Sequence, residues 1–232
     1  MTYVYYYGQL SDDLKRIYLI ILDALRTRKE QCALPFVSME EVDRVLDCIV
    51  LEQPLICPFR EYQMRTFNDL VFSLEFDYLL DEKTQRAAIA ELRSQTKKIA
   101  DYARAVGSLP PTQIEAVHRF FTQRVKYDTA QGRLAFHAAG ALLLGNAVCQ
   151  GIGLGFKCVM DELCIPCVCV RGEHEGEPHC WNLVYCHQWY PFDLTVDVCL
   201  SNDGFISYEG FGNLPSPEKY RAWEDFSLPK HA

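Results

Sequence analysis

Residues 145–197 read GNAVCQGIGLGFKCVMDELCIPCVCVRGEHEGEPHCWNLVYCHQWYPFDLTVD, and the order Cys149, His179, Asp193 within them decides how the rest of the chain is read. Helical residues turn by about 100° each. On that count Ile152, Phe156, Val159, Met160 and Leu163 share one arc, while Lys157, Cys158, Asp161 and Glu162 lie opposite. The segment is therefore expected to be a helix with one buried stripe. Cys149 sits in its first turn, about 40° from the stripe's centre. A thiol there lies beside unpaired N–H groups and the positive end of the helix dipole, which favour the thiolate. The same N–H groups can hold the oxyanion of a tetrahedral intermediate. Taken alone, a free cysteine is more often a small core residue, so the assignment depends on partners.

Beyond the helix, Cys167-Val168-Cys169-Val170 reads as a buried strand and Arg171 to Pro178 as a surface loop. Cys180 to Tyr185 and Trp189 to Leu194 read as an antiparallel hairpin. Directly paired residues on such a hairpin have a constant index sum and share a face. A three-residue loop from Tyr185 to His187 makes that sum 372, which sets His179 beside Asp193 on one face. A two-residue loop gives an odd sum and separates them. Together the three side chains suit nucleophilic catalysis. The imidazole takes the thiol proton and later protonates the leaving group, and the carboxylate fixes its tautomer.

With these residues in view, the chain resembles the transglutaminase-like superfamily of papain-related folds. The resemblance covers about residues 112 to 200. It is carried by the helix ending in Lys126-Tyr127-Asp128, the turn Gly145-x-x-Val148-Cys149-Gln150-Gly151, and Gly172-Glu173. It continues through His179-x-Trp181-Asn182 and Trp189-Tyr190-x-Phe192-Asp193-Leu194-Thr195. The resemblance implies that Cys149 is a nucleophile, His179 its base and Asp193 the orienting carboxylate. It also implies acyl transfer from an amide of a peptide or protein through a thioester, without choosing among protease, amidase, deamidase and transglutaminase. The expected fold is α+β: a papain-like transglutaminase core, its nucleophile helix packed on an antiparallel sheet, after an N-terminal mainly helical annex. Two positions depart from the pattern. Cys180 stands where a small residue is usual, and Cys164 where glycine is favoured, at a cost if that position is left-handed.

The annex is expected over residues 1–108 and the core over 109–232. Ser11, Asp12 and Asp13 open a helix with Leu14, Ile17, Tyr18, Ile21, Leu22 and Leu25 on one face. Ser38 and Glu41 form a capping box for a second helix. Asn68-Asp69 divides two extended runs into a short hairpin, and a long helix of Ala, Glu, Gln, Lys and Arg runs from Asp81 to about Val106. Leu109-Pro110-Pro111 marks the joint. Thr112 and Glu115 suggest another capping box, ahead of Ile114, Val117, Phe120, Phe121 and Val125. Residues 129–144 carry small and apolar types, with His137 and the run Leu142 to Leu144.

The 232 residues carry 49% hydrophobic residues and a formal charge of −8, with no basic cluster. That supports a packed core and argues against nucleic acid or an anionic membrane as partner. No apolar run approaches a membrane span or a signal peptide. The eleven cysteines then read as reduced thiols of a cytoplasmic protein. No cofactor or metal is called for, and the oligomeric state is left open. Rival readings are weaker. Gly151-x-Gly153-x-Gly155 has the wrong order for a dinucleotide turn. Cys164-x-x-Cys167, with Cys169, Cys180 or His187, is a poor zinc or redox site because Cys167 and Cys169 alternate in a buried strand. His118, His137 and His187 read as packed or exposed residues, His174 as a possible cleft residue, and Asp197 as the carboxylate that competes with Asp193. A non-catalytic interaction module keeping the fold is the other alternative; the intact Cys, His and Asp argue against it.

Overall fold

A computed structural model describes residues 2–56, 59–128, 132–223 and 226–229. Helices and strands are mixed along the chain, as an α+β fold requires. Two compact units are present, one of Val4–Ile89 and one of Met1–Tyr3 with Ala90–Ala232.

In the first unit, α1 (Asp12–Thr27) starts where Ser11 Oγ accepts the Leu14 N–H at 3.3 Å. It buries the six apolar residues expected from the spacing. Strand β1 (Gln31–Val37) follows, then α2 (Met39–Glu52), whose Ser38–Glu41 capping box is formed. The strands β2 (Phe59–Phe67) and β3 (Leu70–Tyr78) are joined through Asn68 and Asp69 at φ 49° and 61°. Two successive left-handed residues match the twist of a two-residue hairpin. Strand β1 pairs along the other side of β3, giving the order β1-β3-β2. The unit therefore holds a three-stranded sheet where a short hairpin was expected. Pro35 sits in β1, an edge strand, where a missing N–H is tolerated. Buried Glu52 accepts the backbone N–H groups of Tyr5, Tyr6 and Tyr7 and the Tyr18 hydroxyl, so its burial is matched by donors.

A long helix, α3 (Glu82–Val106), runs across the division between units, and α4 (Pro110–Arg124) follows. The capping box expected at Thr112 and Glu115 does not form. The N-cap is Leu109, without a side-chain bond, and the two prolines occupy the first turn. A residue with fixed φ and no N–H is preorganised for that position, so the helix begins before Thr112.

The second unit is built around α5 (Cys149–Leu163). Before it, β4 (Lys126–Tyr127) and β5 (Asn146–Ala147) pair in parallel. Of the small and apolar stretch, 129–131 lie outside the described residues; Gly132–Phe136 and Gly140–Leu144 form short helical turns. The strand ahead of Gly151 is only the two-residue β5, paired with the two-residue β4 and not part of the larger sheet. After α5 come β6 (Cys167–His174), β7 (Glu177–Cys186) and β8 (Gln188–Phe192), then the short helix α6 (Leu194–Leu200) and β9 (Tyr220–Ala222). The sheet is antiparallel, in the order β8-β7-β6-β9.

Helix α5 is enclosed rather than one-sided. It packs on β6 and β7, on α4 and α6, and on both short turns. Lys157, Cys158 and Asp161, expected on an outer face, are buried. The Lys157 ammonium is sustained by three acceptors: Asp161 Oδ1 at 3.1 Å, Tyr3 O at 2.8 Å and Cys167 O at 2.9 Å. At Gly151 an added Cβ would lie 2.1 Å from the Ala135 carbonyl oxygen, so glycine is what lets the 132–136 turn cross the helix start. Cys164 ends the helix at φ 60°, in the left-handed conformation anticipated as a cost.

The surface loop expected at Arg171 to Pro178 is instead the end of a hairpin. Strands β6 and β7 pair from Cys167↔Val184 to His174↔Glu177, turning at Glu175 and Gly176, both with positive φ. His179 thus lies inside a strand, opposite Gly172.

Candidate active site

Cys149 is the first residue of α5 and is half-buried. Its N-cap, Val148, offers no side-chain acceptor, so the N–H groups of the first turn carry no side-chain cap. The approach to the helix is fixed by the Val148 N–H donating to Ala135 O at 3.1 Å. Gln150 Nε2 donates to Phe136 O at 3.0 Å, and Arg171 donates to Gln150 Oε1 at 3.1 Å.

His179 Nε2 meets Asp193 Oδ2 at 2.7 Å, and the Cys149 side chain lies near enough to the ring to raise its pKa. With Nε2 taken by the carboxylate, Nδ1 is the nitrogen left for the thiol. Burial, the largest single influence, pulls the imidazole's pKa down. The bond to Asp193, and the nearby Cys149 side chain together with the charges of both, outweigh it and push the pKa up to about 9. Trp181 stacks over the imidazole at 6.2 Å between centroids, and His174 lies 5.5 Å away. Asn182 Nδ2 donates to Gly153 O at 3.1 Å, which ties β7 to α5.

The hairpin register differs from the expected one. Cys186 pairs with Gln188, leaving only His187 at the tip with φ 65°, and the index sum is 374 rather than 372. Asp193 is not directly opposite His179. It is not in the strand either: β8 ends at Phe192, and Asp193 is the N-cap of α6. Its Oδ1 accepts the N–H groups of Thr195 at 3.1 Å and Val196 at 3.3 Å, leaving Oδ2 for His179. The capping geometry supplies what the strand register was expected to supply. Asp193 is fully buried, and its own N–H donates to Gly210 O at 2.9 Å.

Asp197, the competing carboxylate, has a different histidine. It is fully buried and faces His118 Nε2 at 2.9 Å. Its other oxygen accepts the Ser207 hydroxyl at 2.9 Å and the Gly210 N–H at 3.0 Å. His118 is packed, as anticipated, with Tyr208 stacked on it at 4.8 Å. His137 Nδ1 accepts the Ala139 N–H at 3.2 Å, and His187 is the turn residue. His174 does stand beside the site.

Burial pushes the thiols of Cys158, Cys167 and Cys180 up, and that of Cys169 up to about 12, which marks them as core residues. Cys164 is exposed at the helix end while Cys167 is buried. Among the described residues no group of three or more His, Cys, Asp or Glu is arranged to hold a metal ion, and no helix is long and apolar enough to cross a membrane.

One member of the site was not anticipated. Tyr220 Oη donates to Asp193 Oδ2 at 2.7 Å from β9, which pairs with β6. Residues 201–232 carry no motif that singles it out; the signal is tertiary.

No family model matches the chain, and no curated protein sequence matches it. Among solved structures it is similar to a crystal structure described as a TGase, at 15% identity and a TM-score of 0.43, over 74% of this chain and 52% of that one. It is also similar to a proposed cysteine protease of Cytophaga hutchinsonii, at 16% identity and a TM-score of 0.38, over 60% of this chain and 62% of that one. The chain thus spans about half the length of the first and about three-fifths of the second.

Proposed function

We propose that the chain is a cysteine-nucleophile acyltransferase or hydrolase of transglutaminase-like type, with a papain-like core in residues 109–232 and residues 1–108 as its annex. The observation that carries this is one imidazole, His179, held by Asp193 at 2.7 Å and near enough to the Cys149 side chain for the two to influence each other, with Cys149 at a helix start.

The chemistry follows from that geometry. The Cys149 thiolate attacks the amide carbonyl carbon, and the oxyanion so formed is met by N–H groups of the first turn of α5. The C–N bond breaks as the His179 imidazolium gives its proton to the departing nitrogen, leaving a thioester and a neutral imidazole. Neutral His179 then takes a proton from water or an amine as it attacks the thioester, and the thiolate departs with its electron pair. Asp193 keeps the ring oriented with Nε2–H toward itself throughout. Water as acceptor makes the enzyme a protease, amidase or deamidase; an amine makes it a transglutaminase.

Competitive labelling tests the reading. With substoichiometric iodoacetamide at neutral pH, Cys149 should be alkylated first among the eleven cysteines, and His179→Ala should abolish that preference. Labelling no faster than at the exposed Cys164 and Cys199 sinks the assignment.

A further inference from the structure

Tyr220 shares one carboxylate oxygen with the imidazole. Its hydroxyl and His179 Nε2 both lie 2.7 Å from Asp193 Oδ2, while Oδ1 is occupied by two backbone N–H groups. A carboxylate has about four acceptor positions, and all of those on Asp193 are used. The phenol ring is held from several sides. It stacks on His174 at 4.3 Å and 20°, and meets Trp181 at 5.4 Å and His179 at 6.0 Å edge to face. Strand β9 brings it there through the pairs His174↔Tyr220 and Gly172↔Ala222. A Cβ at residue 172 would lie 2.2 Å from Arg221 O, so glycine at 172 is the condition for so close an approach. Burial first, and the Asp193 charge second, push the phenol's pKa up, so it remains a donor at any working pH.

We propose that Tyr220 is a positioning residue of this site: its hydroxyl fixes the Asp193 carboxylate and limits how tightly that carboxylate holds the His179 imidazolium. A base in acyl transfer must release its proton as well as take it. An anion that divides one oxygen between two donors is a weaker acceptor toward each. The inference rests on the acyl-transfer reading for its meaning, but its test does not. Other titratable groups near the pair are Cys149 on α5, His174 on β6, Glu175 in the following turn, and Asp197 and Cys199 on α6. Tyr220→Phe leaves all of these in place and removes only the hydroxyl.

The experiment is a titration of the His179 ring nitrogens by NMR in the full chain, wild type against Tyr220→Phe, with the pH profile of Cys149 alkylation recorded alongside. The His179 midpoint should rise by about half a unit to one unit when the competing donor is lost, and the alkylation profile should move the same way. A purely structural role would lower thermal stability and leave both curves superimposable on wild type, which overturns the proposal. If Tyr220→Phe does not fold, 3-fluorotyrosine at 220, a stronger donor of nearly the same shape, must lower the midpoint; an unchanged or raised one overturns the proposal equally. Failure of the acyl-transfer reading shows separately, as a wild-type Cys149 no more reactive than Cys164, and leaves the His179 comparison standing.

Discussion

Asp193→Asn separates the shape of the site from its electrostatics. Asparagine fills the same volume, and the N-cap of α6 still needs an acceptor at Oδ1 for the N–H groups of Thr195 and Val196. The amide NH₂ is thereby directed to the position now held by Oδ2, facing His179 Nε2 and the Tyr220 hydroxyl. A hydroxyl can rotate and accept. The imidazole can accept only by giving up its Nε2 proton, which moves the proton to Nδ1, toward Cys149, where a base must have a lone pair. The carboxylate charge is lost as well. Burial, the strongest influence on His179 and one that lowers its pKa, stays, while two of the four influences that raise it to about 9 go.

If the His179 pKa comes down to about 7, the protonated fraction at pH 7.5 drops from about 97% to roughly a quarter, a differential of about 2.7 kcal/mol. Turnover should fall by on the order of 10²–10⁴ through the wrong tautomer. The assay needs no substrate: rate constants for Cys149 alkylation between pH 5 and 10, read by peptide mass spectrometry, with His179 followed by NMR. Circular dichroism establishes that the fold is kept. Alkylation and titration curves identical to wild type in a folded Asp193→Asn protein would refute the reasoning, because they would mean that Asp193 neither orients nor charges the ring.

Asp197→Asn should lower unfolding free energy by about 1–3 kcal/mol, through the buried His118, Ser207 and Gly210 partners, yet leave the His179 titration unaltered; a moved titration would make Asp197 part of the site. Because the folded pKa of His179 lies above its ordinary 6.5, the stability it contributes is present in full below about 6.5 and is lost as pH rises through about 9. The stability difference between wild type and His179→Gln in urea should accordingly shrink by on the order of 3 kcal/mol from pH 6 to 9.5, and a difference flat with pH would contradict it. Gly151→Ala should cost about 1–3 kcal/mol by chemical denaturation, since its Cβ would meet the Ala135 carbonyl at 2.1 Å; a neutral substitution would show that the 132–136 turn yields freely.

What was legible in the sequence was mostly local. Ser11, the Ser38–Glu41 box and the Asn68-Asp69 turn act through bonds a few residues long, and each appears where it was read. The errors lie where tertiary packing decides. Helix α5 has one apolar stripe by angle, yet its polar side is buried too, because Lys157 finds Asp161 and two carbonyl oxygens that no periodicity foretells. Prolines 110 and 111 do stand between two helices, but the second starts on them rather than at Thr112, a use that proline's fixed φ permits. Tyr220 was invisible because its partner lies 27 positions away and β9 is only three residues long.

The His179–Asp193 pairing was reached through a register that is off by two, and the reason it still holds is informative. Sums of 372 and 374 are both even, so in either register the end of β8 delivers position 193 to the side of the sheet that carries residues 179 and 181. Trp181 therefore stands on that face with His179, and stacks over it. Parity brings Asp193 to the correct side but not to the correct distance. The distance comes from the chain leaving the sheet after Phe192 and winding into α6, with Asp193 as cap. The helix start turns one oxygen inward to Thr195 and Val196, which commits the other to His179. Asp197 has the same parity relative to His179, but it lies one turn further along α6, where His118 on α4 takes it. The choice between two carboxylates four residues apart is thus made by the end of a strand, a feature that alternation alone does not reveal.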